Sequence, residues 1–452
     1  MPVSGFAIDS RSLITGECFV ALQGNRDGHD FVTDAIDAGA AAALVSRIPE
    51  DPALSPEAPL IVVDDPLVAL GALAAQTRER LDPTVVGITG SVGKTGTKDL
   101  VAAVLSTSRI VHANPGSFNN ESGLPLTILA APADTEVLVL EMGARFAGNI
   151  SRLAAIARPH VGVVTNIGAA HAAHFGTLED VAAAKGELLE KLDPDGFAVL
   201  NADDPMTARL AQRTHVDVLT AGRSEAADVR ISSIELDDEL RPTLSLDSHW
   251  GVVRTTLPVR GAHQVANAAL AATVGLRLGV TADDVATGLA TARSARLRMD
   301  LRRSPSGVLV LDDSYNANPA SMNAALDAFA SVVVPGRRFA VLGSMLELGD
   351  RTDAEHAAIG DRLRTGGIAG VVVLGDEAAA LAGAARRAGG VEVVEAADLD
   401  EAEATVSGWV SAGDAVLLKG SRALGLEVLA ERLAPGDEAT RPAPRPGTGA
   451  SQ

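Results

Sequence analysis

Nine residues, Thr89-Gly-Ser-Val-Gly-Lys-Thr-Gly-Thr97, carry the densest chemistry of the chain, and they stand directly after the apolar run Thr84-Val-Val-Gly-Ile88. Gly90 and Gly93 free the backbone to turn its N–H groups around phosphate oxygens. Lys94 can then reach the outer phosphates, and the Thr95 hydroxyl is offered to magnesium. Thr89, Ser91 and Val92 complete the loop, and Asp99-Leu-Val-Ala-Ala-Val-Leu105 continues at helical spacing. Strand, loop and helix in this order predict ATP as a ligand. The loop is short, because the usual pattern places a glycine five residues before Gly93, where Ile88 stands.

Four more segments sit where strands should end, the edge at which ligands collect in open α/β sheets. Glu141-Met-Gly-Ala-Arg145 closes an apolar strand with an acid, which is either a magnesium ligand or a solvated strand end. Thr165-Asn-Ile-Gly-Ala-Ala-His171 and Ala184-Lys-Gly-Glu187 offer a histidine and a lysine that earn no role unaided. Asp312-Asp-Ser-Tyr-Asn-Ala-Asn-Pro319 crowds polar groups between a strand and a helix opened by Pro319, and reads equally as a site or as an Asn-capped turn. Leu418-Lys-Gly-Ser-Arg422 sets two cations at a strand end, which favours an anion.

The elements that must position these groups are α/β in class. Of 452 residues, 47% are hydrophobic and 3% aromatic, so Ala, Val and Leu must build the core, as in helices packed on parallel sheets. The length suggests three domains. Residues 1–82 form a small N-terminal mixed α/β domain with strands at Cys18–Leu22 and Ala43–Val45 and a helix at Asp30–Ala38. Residues 83–298 form a central P-loop domain with a parallel sheet, plus an antiparallel excursion between Val229 and Val259. Residues 299–435 repeat the βα rhythm as a second open parallel, Rossmann-like sheet, and 436–452 read as a disordered tail. The net charge of -20 disfavours nucleic acid and anionic membranes as partners. A single cysteine, Cys18, and the lack of a leader or an 18-residue apolar run suit a cytoplasmic protein.

Taken in order, these segments resemble the Mur ligase family, ATP-dependent amide ligases that add amino acids to the peptidoglycan precursor. The resemblance spans about residues 7 to 433 and rests also on Asp9-Ser-Arg11, Asp27-Gly-His-Asp-Phe31, Asn119-Asn-Glu-Ser-Gly123, Tyr315-Asn-Ala-Asn-Pro319 and Met345-Leu-Glu-Leu-Gly349. It implies joining of D-alanyl-D-alanine to UDP-MurNAc-tripeptide through an acyl phosphate, with ATP and Mg2+, by a monomer. Residue by residue, it implies that Lys94 contacts the outer phosphates, that Thr95 and Glu141 hold one magnesium, and that His171 holds a second. Lys185 matches a lysine carboxylated in the family, where the carbamate would join the metal ligands. Asn267 matches the adenine contact, and Asp313, Tyr315, Asn316 and Asn318 would sit by the nucleotide. Ser10 and Arg11 look like contacts to the uridine nucleotide, with Asn119 and Asn120 as further substrate contacts. A sister ligase adding another amino acid, or a weakly active nucleotide-binding regulator, is the alternative.

Three positions depart from the family pattern. Val92 stands where a small polar residue is usual, Gly96 where Ser or Thr is usual, and Gln264 where Asn or His is usual. Val92 is tolerable only with a negative φ, and Gly96 in a first helical turn costs roughly 1 kcal/mol relative to alanine. Eight residues precede Asp9, fewer than family members carry, so the N-terminal domain is expected to lack its first segment.

Overall fold

The computed structural model describes residues 2–168, 175–292 and 297–435. Three sheets organise them. The first holds β1 (Phe6–Ala7), β2 (Cys18–Val20), β3 (Ala42–Val45) and β4 (Leu60–Val62) in sequential order, all parallel. Alternation along β2 and β3 sends Phe19, Ala43 and Val45 to one face, with Val32 and Ala35. Cys18, Val20 and Leu44 point to the other, against Leu70 of helix Pro66–Leu81 and Leu126 and Leu129 of the next unit. The predicted helix at Asp30–Ala38 is a 3-10 turn, Gly28–Phe31, running into a helix at Val32–Asp37; Asp27 accepts the His29 N–H and so fixes that tighter start.

Helix Pro66–Leu81 leads into the central sheet. Its Asp65 cap and Pro66 set its start, and Asp82, in the left-handed conformation, ends it. Arg78 fastens it to the central unit by donating to the carbonyls of Ala157 at 3.0 Å and Arg158 at 3.1 Å.

The central sheet has nine strands: β5 (Thr84–Thr89), β6 (Val111–Ala113), β7 (Val137–Glu141), β8 (Val161–Val164), β9 (Phe197–Asn201), β10 (Asp217–Gly222), β11 (Val229–Leu236), β12 (Pro242–Ser248) and β13 (Gly251–Thr256). Their order is β13-β12-β11-β10-β9-β8-β5-β7-β6. The antiparallel excursion is β11 to β13, with a register shift between Ile231 and Ser233. β5 lies between β8 and β7, so the chain turns to opposite sides around it. Such a reversal opens a crevice at the strand's carboxyl end, where the phosphate loop emerges.

The third sheet has six strands, β14 (Asp300–Arg303), β15 (Leu309–Asp312), β16 (Arg338–Gly343), β17 (Ile368–Leu374), β18 (Glu392–Ala396) and β19 (Ala415–Lys419), in the order β14-β15-β19-β16-β17-β18. It is not wholly parallel as expected: β14 pairs antiparallel with β15. A tight turn at Ser304–Val308 makes that hairpin, and Arg302 holds it by pairing with Asp300, Asp312 and Glu431. Among the described residues no helix is long and apolar enough to cross a membrane.

Candidate active site

The phosphate loop is braced from behind by the segment after β8. Val92 N–H donates to Asn166 Oδ1 at 2.9 Å, Thr165 Oγ1 to Val92 O at 2.6 Å, and Ser91 Oγ to Gly168 O at 3.0 Å. Thr89 Oγ1 reaches across to Met142 O at 2.8 Å. Two glycines are dictated by this fit. Gly93 has φ +80° and its added Cβ would lie 2.6 Å from Asn267 Oδ1; Gly90 has φ +148° and its Cβ would meet Thr165 Oγ1. Val92 is not among the described non-glycine residues with positive φ, so it adopts a backbone that its β-branched side chain accepts.

Lys94 opens helix Lys94–Leu105 and turns its Nζ back to the carbonyls of Gly90 at 2.8 Å and Ser91 at 3.3 Å. Desolvation lowers its pKa, with the Glu141 charge opposing. Thr95, one residue on, donates to Glu141 Oε2 at 2.7 Å, and Asn119 Nδ2 donates to Glu141 Oε1 at 2.6 Å. Both Thr95 and Glu141 are buried. Asn114 grips the Glu141 backbone, accepting its N–H at 2.9 Å. Asn114 is itself fixed by Lys98, a buried lysine whose Nζ bonds Asn114 O and Gly116 O and pairs with Asp99.

Helix Leu178–Glu190, started by a Thr177 and Asp180 capping box, brings Lys185 to the same region. Lys185 is 1% exposed; its nearest described acceptor is Ala144 O at 3.5 Å, and the Phe175 ring lies 5.7 Å away. Burial, followed by the Lys94 charge, lowers its pKa from 10.5 to about 7. Much of it is therefore a free amine at neutral pH. A free amine adds CO2 and gives up a proton, leaving an anionic carbamate, an oxygen ligand, where the ammonium would stand. His171 lies outside the described residues.

The C-terminal sheet supplies the opposite wall. Tyr315 shares a hydrogen bond with Ser117, and its ring stacks under the Arg298 guanidinium at 4.2 Å. Arg298 also donates to Thr95 Oγ1 at 3.3 Å. Asp313 is tied to the buried Lys419 at 2.5 Å and accepts from Met299 N–H at 3.2 Å. Asn316 and Asn318 turn inward on their own backbone. Asn316 Oδ1 accepts from Ala317 N–H, and Asn318 caps helix Pro319–Ser331 in a reciprocal box with Ser321. Asn120 is likewise engaged, accepting from Gly123 N–H at the start of helix Gly123–Leu129. Ser10 and Arg11 lie in the turn after β1, where Arg11 forks onto Asp9 at 2.9 and 2.7 Å. On helix Gln264–Arg277, Asn267 donates to Gln264 Oε1 at 2.9 Å and backs the loop at Gly93.

The structure thus joins Thr95, Glu141 and Asn119 directly, and adds three residues to which sequence reading gave no role. Asn114 and Asn166 are loop amides whose partners are distant in sequence. Arg298 sits between Leu297 and Met299, both with positive φ, a backbone that aims its side chain into the site and that no residue type there signals.

A buried hydroxyl and a buried carboxylate 2.7 Å apart are hard oxygen donors that fit magnesium. The remaining ligands of such an ion are commonly water and phosphate oxygens.

Three family descriptions match the chain: Mur ligase family, catalytic domain, over residues 2–78; Mur ligase middle domain over 88–275; and Mur ligase, glutamate ligase domain, over 297–422. The UDP-N-acetylmuramoyl-tripeptide--D-alanyl-D-alanine ligase of Mycobacterium bovis is 40% identical over 472 residues, covering 95% of this chain and 92% of its own. The crystal structure of MurF from Acinetobacter baumannii superposes with a TM-score of 0.85 at 30% identity, covering 95% of this chain and 93% of its own. MurF ligase from Thermotoga maritima in complex with ADP gives 0.82 at 32% identity, covering 95% and 96%. Similarity of this extent along the whole chain, over a site of this composition, shows that the chain belongs to the Mur ligase family.

Proposed function

We propose that this chain joins D-alanyl-D-alanine to UDP-MurNAc-tripeptide with ATP, giving UDP-MurNAc-pentapeptide, ADP and phosphate. The observation that carries the reading is the buried Thr95–Glu141 pair directly behind Lys94, with the low-pKa amine of Lys185 entering from a separate helix. Activation of the tripeptide carboxylate as an acyl phosphate lets the dipeptide amine displace phosphate. Catalysis of that kind is mainly positioning and charge neutralisation.

Within this reading, the loop Thr89–Thr95 wraps the phosphates, and Lys94 exchanges its two carbonyl contacts for phosphate oxygens. Thr95 and Glu141 would hold Mg2+, which when bound neutralises charge on the transferring phosphoryl group. Arg298 adds a fixed positive charge beside Thr95. His171 and the Lys185 carbamate would hold a second Mg2+ near the tripeptide carboxylate. Asn267 reads adenine, and Asp313 and Tyr315 face the nucleotide from the C-terminal unit, where Asn316 and Asn318 hold the backbone that presents them. Ser10 and Arg11, with Asn119 and Asn120, serve the UDP-substrate.

The division of labour we assign is residues 1–82 for the UDP-substrate, 83–298 for ATP, and 299–435 for closure over both. We assign the enzyme to the cytoplasm, where ATP and UDP-sugars are made, and propose that it works as a monomer. The test is ADP release measured with UDP-MurNAc-tripeptide and D-alanyl-D-alanine, singly and together. Release only with both is expected; release indifferent to either overturns the reading.

A further inference from the structure

Gly96 and Gln264 meet in space. A Cβ added to Gly96 would lie 3.2 Å from Gln264 Oε1 and 3.4 Å from Asn267 Nδ2. Gln264 Oε1 in turn accepts from Asn267 Nδ2 at 2.9 Å. The longer glutamine therefore occupies room that the missing side chain of residue 96 leaves. Its carbonyl end faces the first turn of helix Lys94–Leu105, the positive end of that helix, where an oxygen is favoured over an NH2 group.

We infer that Gly96 and Gln264 act as one matched pair that fixes the amide orientation of Asn267, and through it the preference for adenine over guanine. The inference rests on the proposed adenine contact of Asn267. With one Nδ2 hydrogen held by Gln264, Asn267 keeps its second Nδ2 hydrogen and its Oδ1. That pair matches N1, an acceptor, and the exocyclic amine of adenine. On the same edge guanine presents an N1–H donor and a carbonyl oxygen, so both contacts are inverted. Turning the amide to suit guanine sets Oδ1 against Gln264 Oε1, two acceptors face to face. Gln264 is thus a positioning residue, and Gly96 is the space it needs.

The test is a cycle of Gly96→Ser, Gln264→Asn and the double variant, with Gln264→Leu and Asn267→Ala alongside. Each is assayed for kcat/KM with ATP and with GTP, and checked for folding by its thermal unfolding midpoint. Gly96→Ser alone crowds Gln264 and is expected to lower kcat/KM for ATP about tenfold, and Gln264→Leu to reduce the ATP to GTP preference about tenfold. The double variant, with a shorter amide beside the added side chain, should regain most of the loss, a coupling of about tenfold. Independent effects of the two positions, or a Gln264→Leu enzyme with unchanged ATP preference, overturn the pair. Unchanged preference in Asn267→Ala instead removes the adenine contact itself, so the two failures are told apart.

Discussion

Replacing Lys185 with methionine should stabilise this protein while abolishing its activity. Lys185 is 1% exposed, and burial lowers its pKa from 10.5 to about 7. Because the folded pKa lies below the unfolded one, the unfolded chain binds more protons between those values, and stability rises with pH across that window. At about 1.36 kcal/mol per pH unit, the burdened amine costs the native state about 4 kcal/mol at pH 7 and about 2 at pH 9, vanishing above pH 10.5. Methionine fills a similar volume without a charge to desolvate. Urea unfolding of parent and Lys185→Met, in CO2-free buffer without nucleotide or metal, should show the variant more stable at pH 7, with the gap shrinking toward alkaline pH. Ligation should be lost in the variant and unrecovered on adding bicarbonate, while the parent should give a carbamate resonance with 13C-labelled bicarbonate. A gap flat with pH, or a variant that is less stable at pH 7, would refute the burial argument, and full activity would remove the carbamate.

Gly93→Ala forces a left-handed φ of +80° on alanine and drives its Cβ to 2.6 Å from Asn267 Oδ1. Backbone cost alone is about 1 kcal/mol or more, so ATP affinity by calorimetry should fall at least about fivefold. Glu141→Gln keeps the shape but removes the charge beside Thr95; the magnesium concentration for half-maximal rate should rise about tenfold or more. Tyr315→Phe removes the hydroxyl shared with Ser117 but keeps the stack with Arg298. A hydrogen bond of about 1 kcal/mol shifts the closure equilibrium about fivefold, visible as a larger radius of gyration in solution scattering, and Ser117→Ala should match it without adding to it. His160 accepts from Val85 N–H at 3.0 Å and lies 3.5 Å from Arg78; burial and then the Arg78 charge lower its pKa, against the pull of Asp193 and Asp82. The stability it contributes is full above pH 6.5 and is lost as pH falls, so limited proteolysis at Leu81–Pro83 should quicken toward pH 5, and less so in His160→Asn.

Strands buried on both faces were legible because nearly every residue in them is apolar: β5, β7, β8, β16, β17 and β19 stand where Val and Leu run together. Edge strands were not. β4 is largely exposed, β6 is three half-buried residues, and β14 reads Asp-Leu-Arg-Arg; only pairing to a neighbour makes each a strand. At the site, the glycine loop, Thr95 and Glu141 could be picked out because their residue types stand at strand ends, and the fold brings Thr95 and Glu141 together. The Asn114 and Asn166 braces and Arg298 were not, since their partners lie far along the chain or across a domain boundary. Pro319 opening a helix behind Asn318 was legible from local capping preference alone.

Lys94 holding the carbonyls of its own loop amounts to a built-in competitor for the phosphate site. Any anion must first displace those two contacts, a charge-assisted pair worth roughly 1.5–3 kcal/mol per bond. A single phosphate would replace these contacts one for one, whereas a triphosphate that also took the loop N–H groups would gain several more. If the loop holds the phosphates of ATP as proposed, it works as a threshold: a lone phosphate would be handicapped at the position that ATP must claim, and product inhibition would be held down by a bond the protein makes to itself.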